Sequence, residues 1–209
     1  MLDWIKNHFN TLHNLQLNSI ITDLSGNRIA IDEGFKCYNQ SVRSIRATNS
    51  KLMFIGNGGS AGIASHLAID YSKNGRLPSM AFSDASALTC LSNDYGYDHV
   101  FAKQIEFHGR TGDVLIAISS SGRSANILNA VAAARTLGCQ VITLSGFESG
   151  NPLSKLGDLN FYVASKEYGF VEVAHLGLGH AMLDYIIEEQ EGRHQIHYEA
   201  PHLLAVENS

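Results

Sequence analysis

From Trp4 to about Ala47 the apolar residues recur every three or four positions: Ile5, Phe9, Leu12 and Leu15, then Ile29, Ile31, Phe35, Tyr38 and Val42. That spacing lines one face of a helix and predicts two helices, separated by the turn chemistry of Leu24-Ser25-Gly26-Asn27-Arg28. After residue 50 the pattern changes to short β-prone runs alternating with longer helical stretches. The runs cover 51–55, 79–82, 113–118, 140–144 and 160–163, with helices expected at about 60–73, 86–107, 124–137, 151–156 and 172–190. Such alternation is the signature of βαβ units and a parallel sheet, here of five strands in an α/β fold. The stretch from Ser124 to Leu137 is the clearest helix, because Gly138 stands where a helix commonly stops. Residues 191–209 lose periodicity and contain Pro201, so they read as an extension.

Composition narrows the class. With 209 residues, 44% of them hydrophobic and 17% charged, the chain can fill one sizeable core. No apolar run approaches the roughly 20 residues of a membrane span, and the Met-Leu-Asp-Trp-Ile-Lys start lacks a signal-peptide layout, so a cytoplasmic protein with no membrane partner is expected. Cys37, Cys90 and Cys139 are scattered, which suggests buried thiols rather than disulfides or cysteine-ligated zinc. A net charge of −5 gives no basic footprint for nucleic acid. A small anion would instead have to be held by backbone N–H groups and helix N-termini.

Two segments can do this. Gly56-Asn57-Gly58-Gly59-Ser60 follows a strand and opens a helix; its glycines let the backbone approach a ligand and take positive φ. It has neither dinucleotide nor P-loop spacing, and a ligand-free strand-to-helix turn would explain it equally well. Ser119-Ser120-Ser121-Gly122-Arg123-Ser124 repeats the geometry. One serine can cap the helix, but a single cap does not account for four hydroxyls, whereas a phosphate dianion at a helix N-terminus does. Both loops leave the carboxyl ends of parallel strands and are expected to face one crevice.

With these loops in place, the chain resembles the sugar isomerase (SIS) family, and within it the phosphoheptose isomerases. The resemblance runs from about Leu52 to Glu189 on Gly-Asn-Gly-Gly-Ser at 56–60, Ser92-Asn93-Asp94, and Ile118-Ser119-Ser120-Ser121-Gly122-Arg123-Ser124-Ala125-Asn126. It implies a flavodoxin-like three-layer sandwich over residues 51–190, and a homotetramer with the helices of residues 1–50 packed between subunits. It matches Ser119, Ser120, Ser121 and Ser124 to phosphate ligands, and Asn57, Gly58, Gly59, Ser60 and Asp94 to the rest of the substrate site.

His66 and Asp70 stand four residues apart, so both project from one helix face. Such a pair can hold a metal, pass protons, or simply meet at the surface. Glu172 and His180 are the other candidates. Aldose–ketose isomerisation needs a base on carbon and an acid on oxygen. The resemblance implies a site of histidine and glutamate after the first loop and glutamine and histidine near the C-terminus, often around zinc. It thereby makes His66, Asp70, Glu172 and His180 the metal set, with Asp70 and His180 exchanging protons. This chain departs twice, with Asp70 for glutamate and Glu172 for glutamine. Two histidines and two carboxylates suit Zn²⁺ and other divalent ions.

If 172–180 is one helix, Glu172 and His180 lie roughly 12 Å apart along its axis and cannot hold one ion. Glu172 is therefore expected at or before the helix start, or the two residues reach one site from different subunits. His175 lies on another face and reads as core or interface, and Lys73 and Arg76 as a solvated loop. His194, His197 and His202 form a metal-like set only by composition.

The resemblance implies an isomerase that converts sedoheptulose 7-phosphate to D-glycero-D-manno-heptose 7-phosphate for surface polysaccharide synthesis. The alternative is a non-catalytic sugar-phosphate-binding SIS protein that regulates a partner such as a replication initiator. An isomerase for a different sugar phosphate is also open. Retention of His66, an acid at 70 and His180 favours the enzyme.

Overall fold

The computed structural model describes residues 1–192, so the tail histidines lie outside the described residues. In chain order the elements are α1 (Leu2–Leu17), β1 (Ile20–Asp23), β2 (Arg28–Ile29), α2 (Ile31–Thr48), β3 (Leu52–Gly56), α3 (Gly59–Lys73), β4 (Ser79–Ala81), α4 (Ala85–Tyr95), α5 (Val100–His108), β5 (Val114–Ser119), α6 (Ala125–Thr136), β6 (Gln140–Ser145), β7 (Leu159–Tyr162) and α7 (Tyr168–Glu191). All strands among the described residues join one sheet in the order β2-β1-β7-β6-β5-β3-β4. The five strands expected from the sequence pair in parallel.

The expected five-stranded parallel sheet is, however, a seven-stranded mixed one. The segment between the first two helices is a hairpin, and β1 pairs antiparallel with β7. Asp23 accepts hydrogen bonds from the backbone N and Nδ2 of Asn27 and Gly26 takes φ of +82°, so the turn chemistry serves a hairpin. Its strands are too short to show alternation.

Successive strand residues face opposite sides. Leu52, Phe54, Val114, Ile116, Ile118, Ile142, Leu144 and Phe161 pack with α2, α3 and α7, while Met53, Ile55, Leu115, Ala117 and Val141 pack with α4, α5 and α6. Burial on both faces is why these strands read as unbroken apolar runs. The helix expected over 86–107 is broken at Gly96, whose φ of +82° separates α4 from a 3-10 turn at Tyr97–His99 and then α5. The short helix expected over 151–156 is a single 3-10 turn at Leu153–Lys155.

Three polar devices brace the fold. The fully buried Asp113 carboxylate accepts from the backbone N of Lys51 and of Arg110 and pairs with Lys51 Nζ, tying the starts of β3 and β5. Tyr38 O–H donates to Tyr71 Oη at 2.7 Å, and Tyr71 O–H to the Gly179 carbonyl at 3.1 Å, linking α2, α3 and α7 inside the core. Asn151, with no exposed surface, donates through Nδ2 to Ser145 Oγ and to the Gly146 and Glu148 carbonyls, and accepts from the Ser154 N–H.

By length and composition α7 could cross a bilayer, which corrects the expectation that no apolar stretch is long enough. In this fold it is the core helix of one layer, burying Val171, Ala174, Leu178, Met182, Leu183 and Ile186. It packs against α1, α2 and α3. In α1, no residue is fully buried; Trp4 and Phe9 are more than 60% exposed, while His8 stacks between Trp4 and Phe170.

Candidate functional site

Along the sheet the parallel strands run β4-β3-β5-β6-β7, and the direction of winding reverses between β3 and β5. Open α/β sheets bind ligands in the crevice at such a switch point, beyond the carboxyl ends of the strands. Both polar loops open there. Gly56 ends β3 with so little room that a Cβ would run into the Ser60 backbone, and Gly58 takes φ of +54°. Gly122, φ +60°, turns the second loop against the Asn151 amide, which a Cβ would strike. Gly122→Ala is therefore expected to destabilise the fold by at least about 1 kcal/mol and to weaken binding of inorganic phosphate; denaturant melts and titration calorimetry check both effects.

Asn57, Gly58, Gly59, Ser60, Ser119, Ser120, Ser121 and Ser124 surround a pocket of about 240 Å³, completed by Tyr168 and Glu172. Ser124 is the N-cap of α6, but its hydroxyl makes no cap bond and instead lies 3.4 Å from Ser119 Oγ. The expectation that a serine side chain caps α6 is corrected, and the hydroxyl is left to a ligand. The buried Ser120 Oγ has no hydrogen-bond partner, an unmet polar atom of the kind an anion satisfies. Among the described residues no Lys or Arg lines the pocket, and hydroxyls, N–H groups and helix dipoles there can attract an anion.

Across the crevice the two loops are tied by side chains. Asn57 Nδ2 donates to Asn126 Oδ1 at 2.8 Å and Asn126 Nδ2 donates to Asn57 Oδ1 at 2.9 Å. Tyr97 O–H also donates to Asn57 Oδ1, at 3.0 Å.

Farther along α3 the second part of the site forms. His66 Nε2 lies 3.1 Å from His180 Nε2 and 3.3 Å from Asp70 Oδ2, and His180 Nδ1 lies 3.8 Å from the same oxygen. The ligand atoms of these three residues all fall within 4.8 Å of one another. Two imidazole nitrogens bound at 2.0–2.1 Å in a tetrahedron stand roughly 3.3 Å apart, so the spacing fits a divalent metal. Shortening the acid at 70 has not taken it out of reach of either histidine.

Glu172 is not part of this cluster. Helix α7 starts at Tyr168 and runs unbroken through both Glu172 and His180, so of the two alternatives expected, the one that puts Glu172 at or before the helix start is overturned. Within one chain its carboxylate instead sits over Gly59, where a Cβ would strike it, at the phosphate-loop end of the crevice. Asp94 is also absent from the pocket lining. It lies in α4, which follows the edge strand β4, one strand removed from the switch point; its carboxylate meets Asn93 Nδ2 and Cys90 Sγ.

His175 is a core residue. It has no exposed surface, and its Nε2 lies 3.1 Å from the Ser145 carbonyl, so Nε2 carries the proton while Nδ1 is unpartnered. Burial pushes its pKa down to about 4 against a small opposing effect of that hydrogen bond. The unfolded chain thus binds a proton the folded chain refuses between pH 6.5 and about 4, and stability falls as pH drops through that window. His175→Gln keeps an N–H donor without the titration and is expected to flatten this part of a stability profile measured by denaturant melts from pH 7 to 4.

Tyr168, Asn126 and Tyr97 are not among the site residues expected from the sequence. Asn126 stands in the motif Ser124-Ala125-Asn126, whose spacing could have flagged it; Tyr168 and Tyr97 carry no comparable local signal.

A SIS domain family model matches residues 38–146. The phosphoheptose isomerase of Rhodospirillum rubrum is 43% identical over 145 residues, 66% of this chain and 76% of that protein. That of Edwardsiella ictaluri is 35% identical over 181 residues, 83% and 90% of the two chains. Among solved structures, a phosphoheptose isomerase from Neisseria gonorrhoeae superposes with a TM-score of 0.75 at 33% identity, covering 88% of this chain and 97% of its own. With a domain match across more than half its length and relatives at this identity over most of theirs, the chain belongs to the SIS-domain family, in its phosphoheptose isomerase group.

Proposed function

We propose that the chain is an aldose–ketose isomerase that converts sedoheptulose 7-phosphate to D-glycero-D-manno-heptose 7-phosphate. The observation that carries this reading is the His66–Asp70–His180 cluster on the two helices, α3 and α7, that also border the serine pocket. His66 stands seven residues after Gly59, roughly 10 Å along the axis of α3, a separation that suits a substrate reacting at the end opposite its phosphate.

Ser119, Ser120, Ser121 and Ser124 hold the phosphate, and Asn57, Gly58, Gly59 and Ser60 border the sugar. Asp70 takes the proton from C1, giving an enediol, and returns a proton to C2. His180 moves the proton between the two oxygens, so the ketone at C2 becomes a hydroxyl and the hydroxyl at C1 an aldehyde. Asp70 Oδ2 faces both histidines, leaving Oδ1 for the carbon-bound proton. His66, His180 and Asp70 would hold a divalent cation, which we assign as Zn²⁺ from the nitrogen-rich donor set; when bound it polarises the substrate oxygens. Glu172 can join that set only from a second subunit, given its distance along α7.

The exposed apolar face of α1, with Trp4, Ile5 and Phe9 outward, supports self-association of the N-terminal segment, proposed as a homotetramer in the cytoplasm. The residues after 190 are proposed as an extension of the SIS domain. Incubating the protein with sedoheptulose 7-phosphate in D₂O, with and without zinc, and following the C1 proton tests the reaction. Exchange that depends on zinc is expected; no exchange under either condition sinks the isomerase and leaves the non-catalytic, partner-regulating binder.

A further inference from the structure

We propose that Asn126 and Tyr97 are positioning residues that fix the side-chain amide of Asn57 so that one Asn57 N–H faces the pocket as a donor to a sugar oxygen. The inference rests on the sugar-phosphate reading of the pocket and adds to it how the non-phosphate part is gripped.

A carboxamide has an oxygen with two lone pairs and a nitrogen with two hydrogens. Asn57 Oδ1 is filled by Asn126 Nδ2 and by the Tyr97 hydroxyl. Asn57 Nδ2 spends one hydrogen on Asn126 Oδ1, and the second remains. Asn57 lines the pocket, whereas Asn126 and Tyr97 do not, so the latter two act on a ligand only through Asn57. Asn126 is almost fully buried in the first turn of α6, two residues after the Ser124 that borders the phosphate position. The reciprocal amide pair therefore sets the distance between the loop after β3 and the loop after β5. It also presents the ligand with a donor rather than an acceptor. A carbonyl or hydroxyl oxygen fits that donor, and inorganic phosphate seated among the serines does not need it.

This separates the role from simple bracing. In titration calorimetry on the full chain, wild type is expected to bind sedoheptulose 7-phosphate more tightly than inorganic phosphate. Asn126→Ala and the uncharged, nearly isosteric Asn126→Leu are expected to weaken the sugar phosphate by about tenfold, the range of one hydrogen bond to a buried group, with inorganic phosphate held within about twofold. Tyr97→Phe is expected to give a smaller loss of the same selectivity. Because Asn126 acts through Asn57, Asn57→Ala and the Asn57→Ala/Asn126→Ala double variant should bind alike rather than multiply their losses.

The proposal is overturned if Asn126→Leu binds the sugar phosphate like wild type, if both ligands weaken in parallel, if the two alanine losses multiply, or if wild type shows no preference for the sugar phosphate. Proton exchange followed in the same samples keeps the two ideas apart. A wild type that binds with the expected selectivity but exchanges nothing loses the isomerase reading and keeps this one.

Discussion

Asp70→Asn is expected to slow C1 proton exchange by roughly 100- to 10,000-fold, the range a positioned general base contributes, while inorganic phosphate still binds as in wild type. Asparagine keeps the size of the side chain and an oxygen directed at His66 and His180, but it cannot take a proton at neutral pH. Because Asp70 lies outside the serine pocket, phosphate binding is an internal control for folding. Rate by NMR in D₂O and affinity by calorimetry therefore separate the two halves of the site. If the variant keeps exchange within about tenfold of wild type, too little is lost for a general base, and the assignment passes to Glu172, whose carboxylate borders the pocket.

The largest stability effect is expected at Lys51. Its ammonium is mostly buried against Asp113, which has no exposed surface. Lys51→Met leaves that carboxylate with two backbone N–H partners and no cation in a low-dielectric setting, and removing one partner of a buried pair costs about 3–5 kcal/mol. For a domain of this size that lowers Tm by roughly 10 °C, with no direct change at the crevice. The double variant Lys51→Met/Asp113→Asn is expected to regain part of the loss, because the stranded charge is gone. A thermal scan of the two variants that gave the same Tm as wild type would exclude the pair as a brace of the β3 and β5 starts.

Much of the catalytic layout was legible because it is local. A strand followed at once by Gly56-Asn57-Gly58-Gly59-Ser60, or by four serines around Gly122, states its own geometry: a sharp turn, free N–H groups and a helix start. The four-residue spacing of His66 and Asp70 likewise fixed one helix face. What could not be read depended on partners distant in sequence. Glu172 was separable from His180 by helix arithmetic, but only the early start of α7 at Tyr168 places it over Gly59. Asp94 follows a strand whose place at the sheet edge no motif encodes. The β1–β2 hairpin depends on pairing with β7 as well as on its own turn, and two to four residues are too few to show a period. Asn126 gains its role from Asn57, and Tyr97 from the break at Gly96.

That hairpin bears on how the chain is made. Ile21 pairs with Phe161, about 140 positions later, so the antiparallel edge cannot close until nearly the whole domain has been synthesised. Closing so long a loop is entropically costly and slows folding. Until then the β1 edge that pairs with β7 stays open on the growing chain, although Ile21 can already pack on Gly34 of α2, and β7, inserted between β6 and β1, joins the first-made segment to the rest. Truncation before residue 159, which removes both β7 and the core helix α7, should therefore leave the N-terminal segment open to proteases.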